Sequence, residues 1–249
     1  MTDSPLRFFL LIGQSNMSGR GELADLEPEG TDNQEIFQFR SGRWIEAQDP
    51  LQDPNDPVYA VKADSNGGVG PGLSFAKSMR EVLETPIGLL LCAKGGGGIR
   101  TWAREGELHK AMLDRLSLAI NQGQLMGVLV HVGEGDSDSE ESAEDWSPRF
   151  KCLVEGIRRD TDCPNLPFVF SQVGSISPQR RLRREHGYRA LEHLRRVQQS
   201  VNLENVAMVP SADLPFKSDG LHLSTTGQIT LGHRFAMAMQ ELLPDRIIR

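Results

Sequence analysis

The sequence predicts an α/β fold: a doubly wound, three-layer α/β/α sandwich with a mainly parallel central sheet, formed by one domain over residues 1–249. Two observations predict it. Short, nearly continuous runs of Val, Leu, Ile and Phe read as parallel strands covered on both faces, and they alternate with longer amphipathic segments that read as helices. No internal repeat or long low-complexity linker interrupts the alternation.

In chain order, the first strand is expected over Leu6–Ile12, an apolar run that stops abruptly at Gly13, and the second over Glu35–Phe39. Leu73, Ala76, Met79 and Leu83, spaced by three and four, predict a helix over Gly72–Leu83. A strand follows at Ile87–Cys92, then a helix at Glu107–Asn121 built on Leu108, Ala111, Leu116, Ala119 and Ile120. Met126–His131 reads as a strand. Ser142–Arg159 reads as a helix carrying Trp146, Phe150, Leu153, Val154 and Ile157. The strand Phe168–Gln172 precedes a helix over Glu185–Val201 with Tyr188, Leu191, Leu194, Val197 and Val201 inward. The strand Val206–Val209 and a helix over Thr225–Leu243 with Ile229, Phe235, Met239 and Leu242 complete the set. Long loops are expected at Glu22–Asn33, Asp49–Pro71 and Ile176–Arg184, where binding surfaces tend to lie.

Bulk properties narrow the function. A chain of 249 residues can bury a substantial core without disulfide or metal. A net charge of −7 argues against a nucleic-acid partner. The basic run RRLRRE, Arg180–Glu185, reads as a solvated face at a helix start. The three cysteines, Cys92, Cys152 and Cys163, fit neither a disulfide framework nor a zinc site, and Cys92 reads as a small core residue. No apolar segment reaches the ~18 residues of a membrane span, so no membrane partner is expected. MTDSPLRFFLLIG makes a poor signal peptide, with a short apolar run and Asp3 where a basic region belongs. The compartment and oligomeric state stay open.

In a parallel sheet, ligands bind in the crevice beyond the carboxyl ends of the strands. The segments that follow the strands are Gly13-Gln14-Ser15-Asn16, AKGGGG at Ala93–Gly98, VGEGDSD at Val132–Asp138 and the loop containing SDGLH at Ser218–His222. Together they supply a serine, glycine backbone, a carboxylate, and a histidine with an aspartate three residues before it. Serine is a weak nucleophile until a neighbouring base takes its proton, and that base needs an acid to fix its tautomer. Asp219 and His222 have the spacing to do this from one tight turn, and peptide N–H groups after Ser15 and in the glycine stretch can stabilise an oxyanion. Taken singly, Ser15 also reads as an N-cap, Asp219 as a turn residue and His222 as a solvated loop histidine. Their joint placement at strand ends, first and last in the chain, favours the chemical reading.

These residues carry a family resemblance. GQSNMSGRG at Gly13–Gly21 resembles the nucleophile block of SGNH (GDSL-like) hydrolases, more narrowly the carbohydrate esterase branch with acetylxylan esterases and sialate O-acetylesterase-like proteins. GGVGPGLSFAKSM at Gly67–Met79, AKGGGGIRTW at Ala93–Trp102, VLVHVGEGDSD at Val128–Asp138 and DGLHLSTTGQ at Asp219–Gln228 are similar to its other blocks, in the family's order. The resemblance implies a flavodoxin-like sandwich of SGNH type and a serine esterase removing short acyl groups, O-acetyl above all, from a small-molecule or oligosaccharide substrate without a cofactor. It implies Ser15 as nucleophile, His222 as base and Asp219 as its orienting acid. The implied oxyanion donors are the Ser15 N–H and a glycine N–H, Gly96 first and Gly95 next.

One position departs. Where the branch has the glutamine of HQGE, the third oxyanion donor, this chain has Val132, and the Trp before the histidine is Val130. Loss of one such donor typically costs roughly 10²–10³ in kcat, about 2.7–4 kcal/mol. Gln14 and Asn16, beside Ser15, are candidate substitutes, and Glu134 belongs to the same block. His131 is a poorer candidate, because adjacent strand residues point to opposite faces. The expectation is an esterase of reduced activity. The alternatives are a weak or inactive homologue that binds acylated sugars, and hydrolysis of a non-sugar ester.

Other motifs are set aside. An EF-hand starting at Asp136 would need glycine and glutamate where Glu141 and Ser147 stand, so DSDSEES reads as an acidic loop leading into a helix. GVGPG at Gly68–Gly72 and GGGG at Gly95–Gly98 lack a GK[ST] ending. The six histidines show no metal-ligand spacing. Trp102 reads as core or as a pocket wall.

Overall fold

The computed structural model describes residues 5–26, 35–60, 67–182 and 187–243. Its centre is a seven-stranded sheet of order β3-β2-β4-β1-β5-β6-β7. The strands are β1 (Leu6–Gly13), β2 (Ile36–Arg40), β3 (Arg43–Glu46), β4 (Ile87–Ala93), β5 (Gly123–His131), β6 (Phe168–Ser171) and β7 (Val206–Val209). All pairings are parallel except that of the edge strand β3 with β2. β1 lies between β4 and β5, and the chain changes direction of growth there, so the crevice at the β1 carboxyl end is the topological switch point.

The near-continuous apolar strands are buried on both faces, as the runs predict. Phe8, Leu10 and Ile12 of β1 face one layer, with Met112 of α3 (Glu107–Ile120), Phe150 of α5 (Trp146–Asp160) and Leu194 of α7 (Leu191–Gln199). Phe9 and Leu11 face the other, with Phe75 and Met79 of α2 (Gly72–Leu83) and Phe235 and Met239 of α8 (Thr225–Leu242). Phe9 and Phe75 meet edge to face at 4.8 Å between ring centres. Cys92 is buried, and burial pushes its thiol up to about 12. Trp102 is buried in the core and stacks on Tyr59.

Several expected boundaries shift, each for a local reason. The sheet has an edge strand that the apolar pattern did not predict: β3 is short, with exposed ends, and pairs with β2 through a two-residue turn. Ser41 and Gly42 both have positive φ, 50° and 80°, as a type I′ hairpin turn requires. The helix expected at Ser142–Arg159 is two, α4 (Glu140–Glu144) and α5. Pro148 has no N–H to offer the Glu144 carbonyl, which breaks the hydrogen-bond ladder between them. The helix expected from Glu185 starts at Leu191 instead. Tyr188 takes a left-handed φ of 64°, and its N–H donates to Asp138 Oδ1 at 3.0 Å.

The loops also hold more order than expected. Ile176–Arg184 includes a short helix, α6 (Pro178–Leu182), which carries Arg180 and Arg181; Arg183–Glu185 of the basic run lie outside the described residues. The acidic segment is a 3₁₀ turn, Glu134–Asp138, in which Asp136 is buried, followed by α4, whose N-cap Ser139 accepts from the Ser142 N–H. Within Asp49–Pro71, Asp56 accepts from the Val58 and Tyr59 N–H groups and pairs with Arg115 of α3. The Tyr59 hydroxyl donates to the Leu108 carbonyl at 2.7 Å, so this loop is pinned against α3.

Candidate active site

At the end of β1 the chain must turn from a buried strand into a helix within two residues. Gly13 permits it: a Cβ there would lie 2.3 Å from the His131 carbonyl oxygen and 2.6 Å from Met17 Cβ. The short helix α1 (Ser15–Ser18) follows, with Gln14 N–H donating to the His131 carbonyl at 3.1 Å. Ser15 is thereby presented at the switch point, at the mouth of the crevice.

The other end of the chain meets it. Ser15 Oγ and His222 Nε2 are 3.0 Å apart, and His222 Nδ1 and Asp219 Oδ2 are 2.6 Å apart. Asp219 Oδ1 also accepts from the Leu221 and His222 N–H groups, both at 2.9 Å, so the turn is locked around its own carboxylate. Burial by itself raises the Asp219 carboxyl, but the hydrogen bonds from the His222 N–H and ring and the Leu221 N–H outweigh it and hold it below the usual range. An ionised Asp219 makes Nδ1 the donor and leaves Nε2 to accept from the serine hydroxyl. The turn leads into α8, whose N-cap Ser224 accepts from the Gly227 N–H at 3.2 Å. A hydroxyl, an imidazole and a carboxylate in this order can deprotonate the serine for attack on a carbonyl.

Beneath this relay lies a second, buried one. Asn16 Nδ2 donates to Glu134 Oε1 at 2.8 Å, and the same oxygen is 2.9 Å from His131 Nε2, while His131 Nδ1 contacts Ser171 Oγ. Burial alone would raise the Glu134 carboxyl; the His131 ring and the Asn16 amide hold it below the usual range. Asn16 Oδ1 accepts from the Leu223 N–H. Both ends of the Asn16 amide are therefore engaged, with one of its two N–H groups committed to Glu134. Glu134 is likewise a buried strut of β5 and α1 rather than a free acid.

A cavity of about 740 Å³ opens over Ser15 and His222, with Gly95, Gly96 and Gln14 in its wall. That volume lies within the range of small-molecule sites. The glycine stretch is fixed from behind, where Asp136 Oδ2 accepts from the Ile99 N–H at 2.8 Å. Burial pushes the Asp136 carboxyl up to about 6 against that bond. Gly133 N–H donates to Gln14 Oε1 at 3.2 Å, which fixes the amide orientation; Gln14 Nε2 has no hydrogen-bond partner among the described residues. Val132 is absent from the cavity wall: it is fully buried in the core, and its carbonyl accepts from Trp146 Nε1 at 3.1 Å. The structure thus brings Ser15, His222, Asp219, Gly95, Gly96, Gln14 and Glu134 together, and leaves Val132 out.

Sequence reasoning missed Arg20. It is 8% exposed and lies in the cavity wall beside Ser15. The available signal was its place in the same short loop as the serine, but a lone arginine in a polar stretch has no periodicity to show which way it faces. Among the described residues no cluster of three or more His, Cys, Asp or Glu can hold a metal ion, and no helix is long and apolar enough to cross a membrane.

Residues 5–241 match the family described as carbohydrate esterase, sialic acid-specific acetylesterase. A probable carbohydrate esterase of Arabidopsis thaliana is 33% identical over 251 residues, covering 94% of this chain and 90% of that protein. Its crystal structure superposes with a TM-score of 0.82 at 31% identity, over 95% of this chain and 98% of that one. A carbohydrate acetylesterase from Xanthomonas citri gives a TM-score of 0.69 at 19% identity, over 96% of this chain and 56% of that one. NanS gives 0.66 at 17% identity, over 98% and 100%. At these lower identities the likeness is one of fold, that of SGNH-type hydrolases.

Proposed function

The chain belongs to the carbohydrate esterase family of sialic acid-specific acetylesterases, and on that premise we propose that it is a serine esterase removing O-acetyl or other short acyl groups from carbohydrate through an acyl-serine intermediate. The observation that carries the mechanism is the Ser15–His222–Asp219 relay, with contacts of 3.0 and 2.6 Å.

Ser15 Oγ attacks the ester carbonyl carbon while His222 Nε2 takes its proton, and the carbonyl π pair moves onto oxygen. Asp219 stabilises the imidazolium without taking its proton. The oxyanion meets the Ser15 N–H, a glycine N–H from Gly95 or Gly96, and Gln14 Nε2 in place of the side-chain donor absent at 132. Collapse breaks the bond to the sugar oxygen, which leaves with the proton from Nε2. Water then attacks the acyl-serine, gives its proton to His222, and the carboxylic acid departs as Ser15 recovers its hydrogen. The substrate is a small-molecule or oligosaccharide ester, and no step calls for a cofactor.

The test is hydrolysis of p-nitrophenyl acetate and of O-acetylated monosaccharides by the wild type and Ser15→Ala. Turnover by the wild type that disappears in Ser15→Ala supports the reading. A second reading, a homologue that binds acylated sugars without turning them over, is favoured by the core placement of Val132. It takes over if the wild type shows no Ser15-dependent turnover yet binds the acetylated sugar.

A further inference from the structure

We propose that Arg20 is a further catalytic residue, whose Nη2 donates a hydrogen bond to the ester oxygen as that oxygen becomes negatively charged. The proposal rests on the reading of Ser15 as nucleophile and adds a positive charge to an oxyanion site otherwise built of neutral donors.

The guanidinium is buried, at 8% exposure, in a place where an uncompensated charge is costly. Among the described residues only Nη1 is used: it donates to Ser18 Oγ at 2.9 Å and to the Gly19 carbonyl at 2.6 Å. A guanidinium has five N–H donors, so Nη2 and Nε remain. Among the described residues no carboxylate pairs with it. Among the described residues four acids share a cavity wall with it, and each is engaged elsewhere: Glu22 by Lys217, Asp219 by His222, Glu134 by Asn16 and His131 through Oε1, and Asp138 by the Tyr188 N–H. Burial pulls the Arg20 pKa below its ordinary value, as for a cation without a counter-ion.

The free end of the side chain points at the reaction. Arg20 Nη2 lies 3.2 Å from where a Cβ on Gly95 would stand, and that point is 3.6 Å from Ser15 Cβ. The missing side chain of Gly95 therefore leaves open the space between the guanidinium and the serine, room for an ester oxygen between them. When an ester of a neutral sugar is cleaved, one new full negative charge forms, on the carbonyl oxygen. It forms as the bond from Ser15 Oγ closes and the π pair shifts, and it vanishes when the sugar oxygen leaves. Arg20 keeps all its protons through both events. It stabilises the state between them more than the neutral ester before it, which is the condition for raising kcat rather than lowering KM.

The test compares Arg20→Met, Arg20→Gln and Arg20→Lys with the wild type and Ser15→Ala on p-nitrophenyl acetate, which is uncharged. The expected result is a kcat about 10²-fold lower in Arg20→Met and Arg20→Gln with KM changed less than about threefold, and most of that loss recovered in Arg20→Lys. Added guanidinium ion should partly rescue Arg20→Gln. Should Arg20→Met fail to fold, the Gln and Lys pair carries the same comparison, charge removed against charge kept. Wild-type kcat in the neutral variants overturns the proposal. So does an equal loss in Lys and Gln with matching falls in Tm, which would make Arg20 a brace for Ser18 and Gly19. A loss confined to KM for carboxylate-bearing esters also overturns it and makes Arg20 a substrate anchor. If Ser15→Ala is as active as the wild type, it is the esterase reading that falls; if Ser15→Ala is inactive and the Arg20 variants are not impaired, only this proposal does.

Discussion

Asn16 Oδ1 accepts a hydrogen bond from the Leu223 N–H at 3.0 Å, tying the neighbour of the serine to the neighbour of the histidine across 207 positions of chain. With Asn16 Nδ2 on Glu134, one buried amide ties together segments far apart in sequence, beside the Lys217 bond to the Arg20 carbonyl and the Thr225 bond to the Glu22 carbonyl. The 3.0 Å contact between Ser15 and His222 is a consequence of this strap as much as of the two residues themselves.

Asn16→Ala leaves the Leu223 N–H without a partner in a dry interior and takes one of two donors from Glu134 Oε1, which keeps His131. The expected cost is roughly 2–4 kcal/mol in urea unfolding, since each buried polar group left unpaired costs about 1–3 kcal/mol. A kcat at least about tenfold lower should accompany it, with a smaller change in KM, because the relay loses its register. A variant with wild-type stability and kcat would show that the strap is dispensable.

Asp136 gives the protein a pH dependence of definite sign. Its carboxyl is pushed from the ordinary 3.8 to about 6 by burial, against the Ile99 N–H bond. The folded state therefore favours the protonated form. That contribution is fully present below about pH 4 and is lost as pH rises through about 6. Asp136→Asn keeps an acceptor for Ile99 and removes the titration. Between pH 4 and 7.5, unfolding free energies should move in favour of the Asn variant relative to the wild type by on the order of 2–3 kcal/mol. A difference that does not vary with pH would contradict this.

Val132→Gln separates the sequence argument from the structural one. By family pattern, restoring glutamine should raise kcat. In this fold Val132 is buried among Trp146, Val173 and their neighbours, and it does not line the cavity over Ser15. A buried amide there should lower stability by about 1–3 kcal/mol and leave kcat within about threefold. A tenfold gain in kcat on p-nitrophenyl acetate would mean that the longer side chain finds its way to the oxyanion.

Why the strands and the relay were legible and the rest was not has a physical basis. β7 and α2 have the bounds that their patterns predict, because a strand buried on both faces and a helix with one apolar stripe leave unambiguous periods. β3 shows four residues with exposed ends, too short for a period, and only the Ser41-Gly42 pair announces it. The break before α5 follows from Pro148, a local veto that hydrophobic spacing does not register. Ser15, Asp219 and His222 stood out because strand ends are where a parallel sheet gathers its chemistry. Asn16, Arg20 and Glu134 lie in the same blocks, yet whether a polar side chain braces the fold or faces the substrate depends on partners far away in sequence, such as Leu223 and His131.

Gln14→Glu isolates the donor we assign to the amide. The Gly133 N–H holds Gln14 Oε1 at 3.2 Å, and a glutamate can keep that acceptor and nearly the same shape. What changes is Nε2: an N–H donor in the wall beside Ser15 becomes an oxygen carrying negative charge. The ester ground state, being neutral, feels this little, while the oxyanion is repelled. Loss of the donor should lower kcat by roughly 10²–10³ with KM nearly unchanged. Gln14→Met, which removes the donor without adding charge, should fall in between. If both variants kept wild-type kcat while Ser15→Ala abolished turnover, the oxyanion would be held by the backbone N–H groups and Arg20, and the valine at 132 would have no side-chain substitute at Gln14.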